Sequence, residues 1–170
     1  MRIVRLLHSS LIAVCALGTI GSAQTVTFIH AFNISDGQYP VAGTLAQARD
    51  GSLYGTAYAG GGFGQGTLFR QNVTSKVDVN LHSFAGTDGA NPVSGPILAT
   101  DGNMYGTTQY GGVFNYGVLY RVDTTGTLTV IHDFTGGSDG AHPEAPPIQG
   151  SDGNLYGMEW TPNLRQPVKP

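Results

Sequence analysis

The sequence predicts an all-β protein built from repeated four-stranded units. Leu53-Tyr54-Gly55 returns as Met104-Tyr105-Gly106 and again as Leu155-Tyr156-Gly157, each time 51 residues further along the chain. A period of that size indicates stacked supersecondary units. Glycine supplies 26 of the 170 residues and charged residues only 11%, a turn-rich composition unlike that of disordered chains. No segment after the N-terminal leader shows helical periodicity of useful length.

The first 23 residues are predicted to be a secretory signal peptide. Arg2 and Arg5 provide a charged start, 11–20 is mostly apolar, and Gly21-Ser22-Ala23 places small residues before a cut at Gln24. The apolar run is too short to cross a bilayer as a finished helix. A short N-terminal anchor is the less favoured alternative. We therefore expect a secreted protein, extracellular or periplasmic.

Removal of the signal changes what the composition implies. It takes away Cys15, the only cysteine, so we expect no disulfides. A lipoprotein with Cys15 as the lipidated residue is a less favoured alternative, because Val14 before it is bulky and the apolar stretch ahead is short. Removal of the signal also takes Arg2 and Arg5, leaving six Lys and Arg against eleven Asp and Glu, a formal net charge of −5. That balance argues against nucleic-acid binding, which needs clustered cations, and against a polybasic membrane surface. No cofactor is indicated.

The repeat has a regular internal order. A strand ending in His-x-Phe leads to a loop with Asp-Gly and a proline, then a short apolar segment and a second Asp-Gly, which predicts a two-residue hairpin turn. The Tyr-Gly strand, a glycine loop and a Gly-Thr-Leu-Phe type strand follow. The recurring members are His30, His82 and His132; Pro40, Pro92 and Pro143; Asp50, Asp101 and Asp152; and the glycine loops 60–66 and 111–117.

Four antiparallel strands in 51 residues is the size of a β-propeller blade. The aromatic residues of the repeat are expected to fill the space between blades: Tyr54, Phe69, Tyr105, Tyr120 and Tyr156. A β-solenoid or a β-sandwich is the alternative architecture. We expect the repeat domain over 24–160, with repeats of about 28–80, 81–130 and 131–160, followed by an irregular proline-rich tail over 161–170.

The strand count predicts an incomplete ring of two to three blades. A lone strand at about 25–32 precedes two complete four-strand sets, at about 43–84 and 94–134, and a two-strand start of a third. The third copy leaves the pattern at Met158. Truncation of a longer family member is the favoured explanation. Assembly of copies into a closed homo-oligomeric ring, or an open stack capped by its tail, are the alternatives.

These motifs resemble the bacterial extracellular tandem repeat called the GloVer (Gloeo/Verruco) repeat. The segment Asp101-Gly102-Asn103-Met104-Tyr105-Gly106-Thr107-Thr108 is the best copy, with looser copies beginning at Asp50 and Asp152. The resemblance covers nearly all of 28–157. It implies a secreted or surface-displayed β-propeller-like protein.

The repeated histidines invite a metal hypothesis. Zinc needs ligands about 2 Å from one point. Residues on an outer strand of successive blades stay far apart, so we predict a structural hydrogen-bonding role for His30, His82 and His132 and no metal site. The Asp-Gly pairs are likewise explained by turns rather than by calcium.

The best candidates for ligand binding are aromatic residues in or beside the glycine loops, Tyr58, Phe63, Tyr110 and Phe114. They are candidates for a platform that holds a carbohydrate or a protein ligand, with packing between blades as the alternative. The glycine loops lack the Lys-Ser/Thr of a phosphate-binding loop. No residue pattern marks a catalytic group, and we expect none.

Three functional hypotheses follow. The first is a secreted, non-enzymatic binding or structural module at the cell surface. The second is an exported propeller enzyme, a hydrolase or lyase acting on carbohydrate, which would gather acidic, histidine or arginine side chains at a central opening. The third is a truncated, non-functional remnant.

Overall fold

The computed structural model describes residues 30–40, 45–123 and 125–157. The predicted signal peptide, the first part of the lone strand (25–29) and the proline-rich tail lie outside the described residues. Within the described ranges the chain forms eleven β-strands, and every strand pairing is antiparallel. None of these residues lies in a helix that is long and apolar enough to cross a membrane.

The strands form two full sheets and the beginning of a third. In the first sheet β2, β3, β4 and β5 are neighbours in that order, and β1 also pairs with β3. The second sheet repeats the order with β6, β7, β8 and β9, and the third holds only β10 and β11. The bounds are β1 Gln38–Pro40, β2 Ala46–Gln47, β3 Leu53–Ala59, β4 Thr67–Asn72, β5 Val77–Ser83, β6 Ile97–Leu98, β7 Met104–Thr108, β8 Val118–Val122, β9 Leu128–Asp133, β10 Ile148–Gln149 and β11 Leu155–Tyr156.

The second Asp-Gly of each repeat forms the predicted hairpin, with a loop one residue longer than expected. In the first repeat the Gly51 N–H donates to the Ala48 carbonyl at 3.0 Å, and the Ala48 N–H donates to the Ser52 carbonyl at 2.8 Å. Three residues therefore lie in the loop, and the glycine comes last with a φ of 83°. This is the turn-plus-bulge hairpin, which puts its positive φ on one glycine.

The strand directions give each sheet two distinct ends. The hairpin end carries the Asp-Gly hairpins (49–51, 100–102 and 151–153) and the turns that join β4 to β5 and β8 to β9. The loop end carries the glycine loops (60–66 and 111–117) and the loops that follow the histidine strands (33–39, 85–91 and 135–142).

The main core lies between the first two sheets. The buried cluster consists of Tyr54, Leu68, Phe84, Met104, Val118, Tyr120 and Val122. Tyr120 is fully buried, and its ring lies 5.5 Å from that of Phe84. Tyr54, Phe69 and Tyr120 are thus buried as predicted, whereas Tyr105 and Tyr156 are half-buried and donate their hydroxyls to Asp101 and Asp152.

Successive repeats meet through the same hydrogen bonds. Thr56 Oγ1 donates to the Ser94 carbonyl at 2.9 Å, and Thr107 Oγ1 donates to the Ala145 carbonyl at 3.0 Å. The second and third repeats are therefore joined in the same way as the first and second, although the third sheet has only two described strands.

A β-bulge recurs beside each edge histidine. In the first sheet, register slips between Leu68 and Phe69, leaving Leu81 as the extra residue of β5. In the second sheet, Ile131 of β9 is the extra residue at the equivalent place. Bulges re-aim neighbouring side chains, and here the residue that follows is the repeated histidine, His82 or His132.

Candidate functional site

Each repeated histidine is hydrogen-bonded to the aspartate of the loop that follows it. The Nε2 to Oδ2 distances are 3.1 Å for His30 and Asp36, 2.7 Å for His82 and Asp88, and 3.0 Å for His132 and Asp139. The same carboxylates accept backbone N–H groups, as Asp88 does from Ala85 at 2.8 Å. The pairs of His82 and His132 therefore fasten a loop to the edge strands β5 and β9, and all three histidines have the predicted structural hydrogen-bonding role. The described residues contain no group of three side chains suited to a metal ion.

The first pair differs from the others because His30 also contacts Asp78 through Nδ1. Asp78 lies in β5, opposite Gln71. Burial raises the pKa of Asp78 above its usual range, and the nearby Asp36 charge acts in the same direction, while His30 opposes both. One oxygen of Asp78 is buried and has no hydrogen-bond partner within the described structure.

The hairpin aspartates hold their turns. Asp101 accepts the Asn103 backbone N–H at 2.9 Å and the Tyr105 hydroxyl at 2.8 Å. Burial acts to raise the pKa of Asp101, but these hydrogen bonds outweigh it and the pKa lies below its usual range. At Asp152 the hydrogen bond from Tyr156 is the main cause of a lowered pKa. Both side chains serve the turn, as the sequence predicted.

The glycine loops pack tightly against the loops that follow the repeated histidines, 33–39 and 85–91. The Gly112 N–H donates to the Gly86 carbonyl at 2.8 Å, and a β-carbon at Gly111 would lie 2.5 Å from that carbonyl oxygen. Only glycine permits this approach. The loop backbone is therefore held in place while its tip projects into solvent.

The four predicted ligand-binding residues all lie at the loop end. Phe63 and Phe114 stand at the glycine-loop tips, with 65% and 52% of their surface exposed. Tyr110 is 36% exposed. Tyr58 is half-buried at the end of β3, where its carbonyl accepts the Asn91 side chain at 3.1 Å. The structure thus puts them on one end, in two groups that belong to successive repeats.

A groove runs between the two glycine loops. Its volume is about 510 Å³, within the usual range for ligand sites. Its lining includes Gln65, Asn91, Tyr110, Gly111 and Asn115.

An aromatic cluster that sequence analysis missed lies beside this groove. The His142 ring centre lies 4.9 Å from that of Tyr110 and 5.4 Å from that of Tyr116. His142 Nδ1 lies 2.9 Å from the Gln109 carbonyl oxygen. A carbonyl only accepts, so Nδ1 carries the proton and Nε2 is the ring's remaining hydrogen-bonding atom.

The residue before each repeated proline has an unusual backbone conformation. Tyr39, Asn91 and His142 have φ values of 54°, 53° and 51°. Positive φ is uncommon for residues other than glycine and is often found at functional sites. These three residues occupy one repeat position but differ in type, and that variation is the sequence signal that would have identified His142.

Charge is distributed unevenly between the two ends. Arg49 and Lys76 lie in hairpin-end turns, and Arg70 and Arg121 help to lower the pKa values of the hairpin carboxylates Asp50 and Asp101. These are all the Lys and Arg within the described ranges. The loop end carries carboxylates without a neighbouring Lys or Arg in that part of the chain: Asp36, Asp88, Asp133, Asp139 and Glu144.

Repeated antiparallel sheets, packed face to face and joined by identical hydrogen bonds, define a β-propeller-like repeat protein. The crystal structure of TolB from Acinetobacter baumannii, a β-propeller, is similar in fold, with a TM-score of 0.50 and 15% sequence identity. The similarity covers 86% of this chain and 35% of the TolB chain, so the chain spans about a third of that neighbour.

The chain belongs to the Gloeobacter/Verrucomicrobia repeat family, whose model matches residues 17–163. The family resemblance noted in the sequence is therefore confirmed. No curated protein matches the chain.

Proposed function

We propose that this chain is a secreted, non-enzymatic binding module that uses its loop end to hold carbohydrate at the bacterial cell surface. The observation that carries the proposal is a set of exposed aromatic side chains on one end of the sheets: Phe63, Tyr110, Phe114 and Tyr116. An exposed aromatic side chain does not gain the free energy of burial. Several of them on one end of a fold therefore indicate a surface that another molecule covers.

The loops that carry these rings are suited to binding because their backbones are held in place. Gly61 donates to the Ile34 carbonyl at 2.9 Å, and Gly66 donates to the Gly60 carbonyl at 3.1 Å. A rigid platform loses little conformational entropy when it binds a ligand. Flat aromatic rings stack on the apolar faces of sugar rings, and the groove beside them offers amide side chains, Gln65, Asn91 and Asn115, for the hydroxyls.

Membership of the repeat family supports the cell-surface location, because its members are of the bacterial extracellular type. The predicted signal peptide agrees with that location. Secretion is tested by expressing the full chain in a bacterial host and assaying the periplasm and medium for a product that begins at Gln24. A product that stays in the cytoplasm with its leader intact would contradict secretion.

The binding proposal is tested with the mature chain and insoluble polysaccharides. Cellulose, chitin and purified peptidoglycan are incubated with the protein, and the unbound fraction is measured. We expect retention by at least one polymer, and an at least ten-fold weaker affinity for a Phe63→Ser, Phe114→Ser double variant. Val77→Ser is the matched control, because Val77 is 55% exposed at the hairpin end.

Two outcomes would contradict the proposal. One is that no polysaccharide retains the protein, and the other is that the double variant binds as well as the control. Release of soluble sugar fragments from the bound polymer would instead support the hydrolase or lyase alternative.

A further inference from the structure

An open cleft lies between the second sheet and the third repeat. We call the contact between the first two repeats the first junction and the contact between the second and third repeats the second junction. The cleft is part of the second junction and has a volume of about 620 Å³. Its lining includes Tyr105, Leu119, Phe134, Leu155 and Gly157. None of its lining residues lines the groove at the loop end.

The first junction shows which side chains fill the same space one repeat earlier. Tyr105 and Leu119 occupy the repeat positions of Tyr54 and Leu68, 51 residues further along the chain. At the first junction, Tyr54 and Leu68 belong to the buried cluster of the core. Strand β8 contributes three alternate side chains to that cluster: Val118, Tyr120 and Val122. The cleft is therefore equivalent to the space that β8 fills at the first junction.

The positions that face the cleft are more exposed than their counterparts at the first junction. Tyr54 is 6% exposed, whereas Tyr105 is half-buried. Ile131, the extra residue of the bulge in β9, is 45% exposed. Its counterpart Leu81 packs against the buried cluster. The described part of the chain thus leaves apolar surface open at the second junction that is covered at the first.

Strand β11 has a free side at the cleft. Within the described ranges it pairs only with β10, whereas β3 and β7 each pair with a strand on both sides. The backbone groups along such an edge are a template for pairing with another strand. In the second sheet Gly106 lies opposite Tyr120, and Gly157 is the equivalent glycine of β11's repeat. A strand added in the same register would place an aromatic ring over Gly157.

We propose that the cleft binds an extended segment of another protein, which pairs with β11 as the third strand of the incomplete sheet. The segment carries apolar side chains at alternate positions, and the middle one is an aromatic residue opposite Gly157. In this mode of recognition the backbone pairing gives affinity, and the pockets for alternate side chains give specificity. The proposal is independent of carbohydrate binding, because the two sites have no lining residue in common.

The sheets themselves indicate that the segment comes from a different protein. The strands of the required kind in this chain are β4 and β8, and each is paired on both sides within its own sheet. A folded second copy therefore has no free strand of this kind among its described residues. Residues 158–170 do not repeat the β8 pattern and contain three prolines, which are unfavourable in a central strand.

The test uses a fluorescently labelled peptide with the sequence of 117–123, Gly-Val-Leu-Tyr-Arg-Val-Asp, and measures its anisotropy with the mature chain. We expect saturable binding. Serine at the three inward positions, those of Val118, Tyr120 and Val122, should weaken binding at least ten-fold, because their apolar surface is buried in the cleft. Serine at the two outward positions, those of Leu119 and Arg121, should leave the affinity unchanged.

The repeated glycine supplies the matched protein variants. Gly157→Ala adds a β-carbon under the aromatic ring of the peptide and should weaken binding at least ten-fold. A peptide with leucine in place of the tyrosine should bind the Gly157→Ala protein more tightly than the original peptide does. Ser151→Ala is the control, because Ser151 is an exposed residue of the same repeat. The Phe63→Ser, Phe114→Ser variant should bind the peptide as the parent does, since both changes lie at the loop end.

Three results would overturn the inference directly: no binding of the peptide, equal weakening by inward and outward serines, or no effect of Gly157→Ala. Two other occupants of the cleft have their own signatures, and each would also overturn it. If residues 158–170 fill the cleft, the parent does not bind the peptide, and the emission of Trp160, the only tryptophan, shifts in the Gly157→Ala variant. If a second copy fills it, the parent sediments as a dimer that the peptide dissociates. The polysaccharide retention assay is unaffected by any of these results, so the proposed function stands or fails separately.

Discussion

Tyr120 covers Gly106 so closely that a β-carbon on the glycine would lie 2.5 Å from Cζ of the tyrosine. The two residues are cross-strand partners in β7 and β8. Phe69 covers Gly55 in the first sheet in the same way, again at 2.5 Å. The glycine of the repeated Tyr-Gly motif is therefore explained by the aromatic ring that the next strand places over it.

This contact predicts a strong effect of Gly106→Ala. Overpacking of this kind costs about 1–3 kcal/mol, and a Tyr120→Leu change should recover part of the loss by removing the atoms that clash. Gly102→Ala is the control. Gly102 has a φ of +86° and open space around it, so its substitution adds backbone strain but no steric clash. Urea unfolding of the single and double variants measures the coupling. Additive effects for Gly106 and Tyr120 would contradict the contact.

Tyr120 also predicts the response to alkaline pH. Burial raises the pKa of Tyr120 above that of an unfolded tyrosine, which is about 10. The unfolded chain therefore releases this proton first, and stability falls above about pH 10 by up to 1.4 kcal/mol per pH unit. Tyr120→Phe should reduce this slope. Its stability at pH 7 should not fall, because the hydroxyl has no partner in the described structure. Urea unfolding at pH 8 to 11 checks both points.

The hydrogen bonds of Asp88 to His82 and to the Ala85 N–H are predicted to stabilise the loop that follows β5. Asp88→Ala removes the acceptor for His82 and for the Ala85 N–H, and should lower the free energy of unfolding by about 1–3 kcal/mol. Asp88→Asn keeps one carbonyl oxygen for the backbone and should cost less. Denaturant midpoints separate the two variants, and equal losses would show that the hydrogen bonds are not the cause.

The ionised form of Asp78 is predicted to lower the free energy of unfolding at neutral pH. Its pKa is raised mainly by burial. A raised folded-state pKa means that stability decreases as pH rises from the unfolded value of about 3.9 through the folded value. Asp78→Asn removes that ionisation, so the variant should be more stable than the parent at pH 7, with the advantage shrinking towards pH 4. The second repeat has Leu128 at this place in the register, which makes Asp78→Leu a companion variant.

Much of the architecture followed from the repeat alone. The four-strand order of the two full sheets, the hairpins at the second Asp-Gly and the structural role of the histidines were predicted, because each depends on a local motif that recurs. Strand β1 (Gln38–Pro40), which also pairs with β3, was not predicted, because its segment was assigned to a loop. The hairpin loop length was wrong by one residue. A two-residue turn and a turn with a bulge both favour Asp-Gly, and only the pairing register distinguishes them.

The candidate site was predicted only in part. Tyr110 and Phe114 could be named from their glycine loop, because loop aromatics are visible in the sequence. Tyr116 lies in the same loop and could have been named with them. His142 could not be placed beside them, since it comes 26 positions after Tyr116 and only the packing of successive repeats brings the two rings together.

The sequence by itself determined the fold class, the repeat unit and the family, because these depend on spacing and on residues that recur. The tertiary structure alone decided which residues meet at a junction, that charge separates between the two ends, and that the second junction carries an aromatic cluster. These properties arise between repeats, where residues distant in the chain become neighbours, and a pattern read along one chain does not contain those distances.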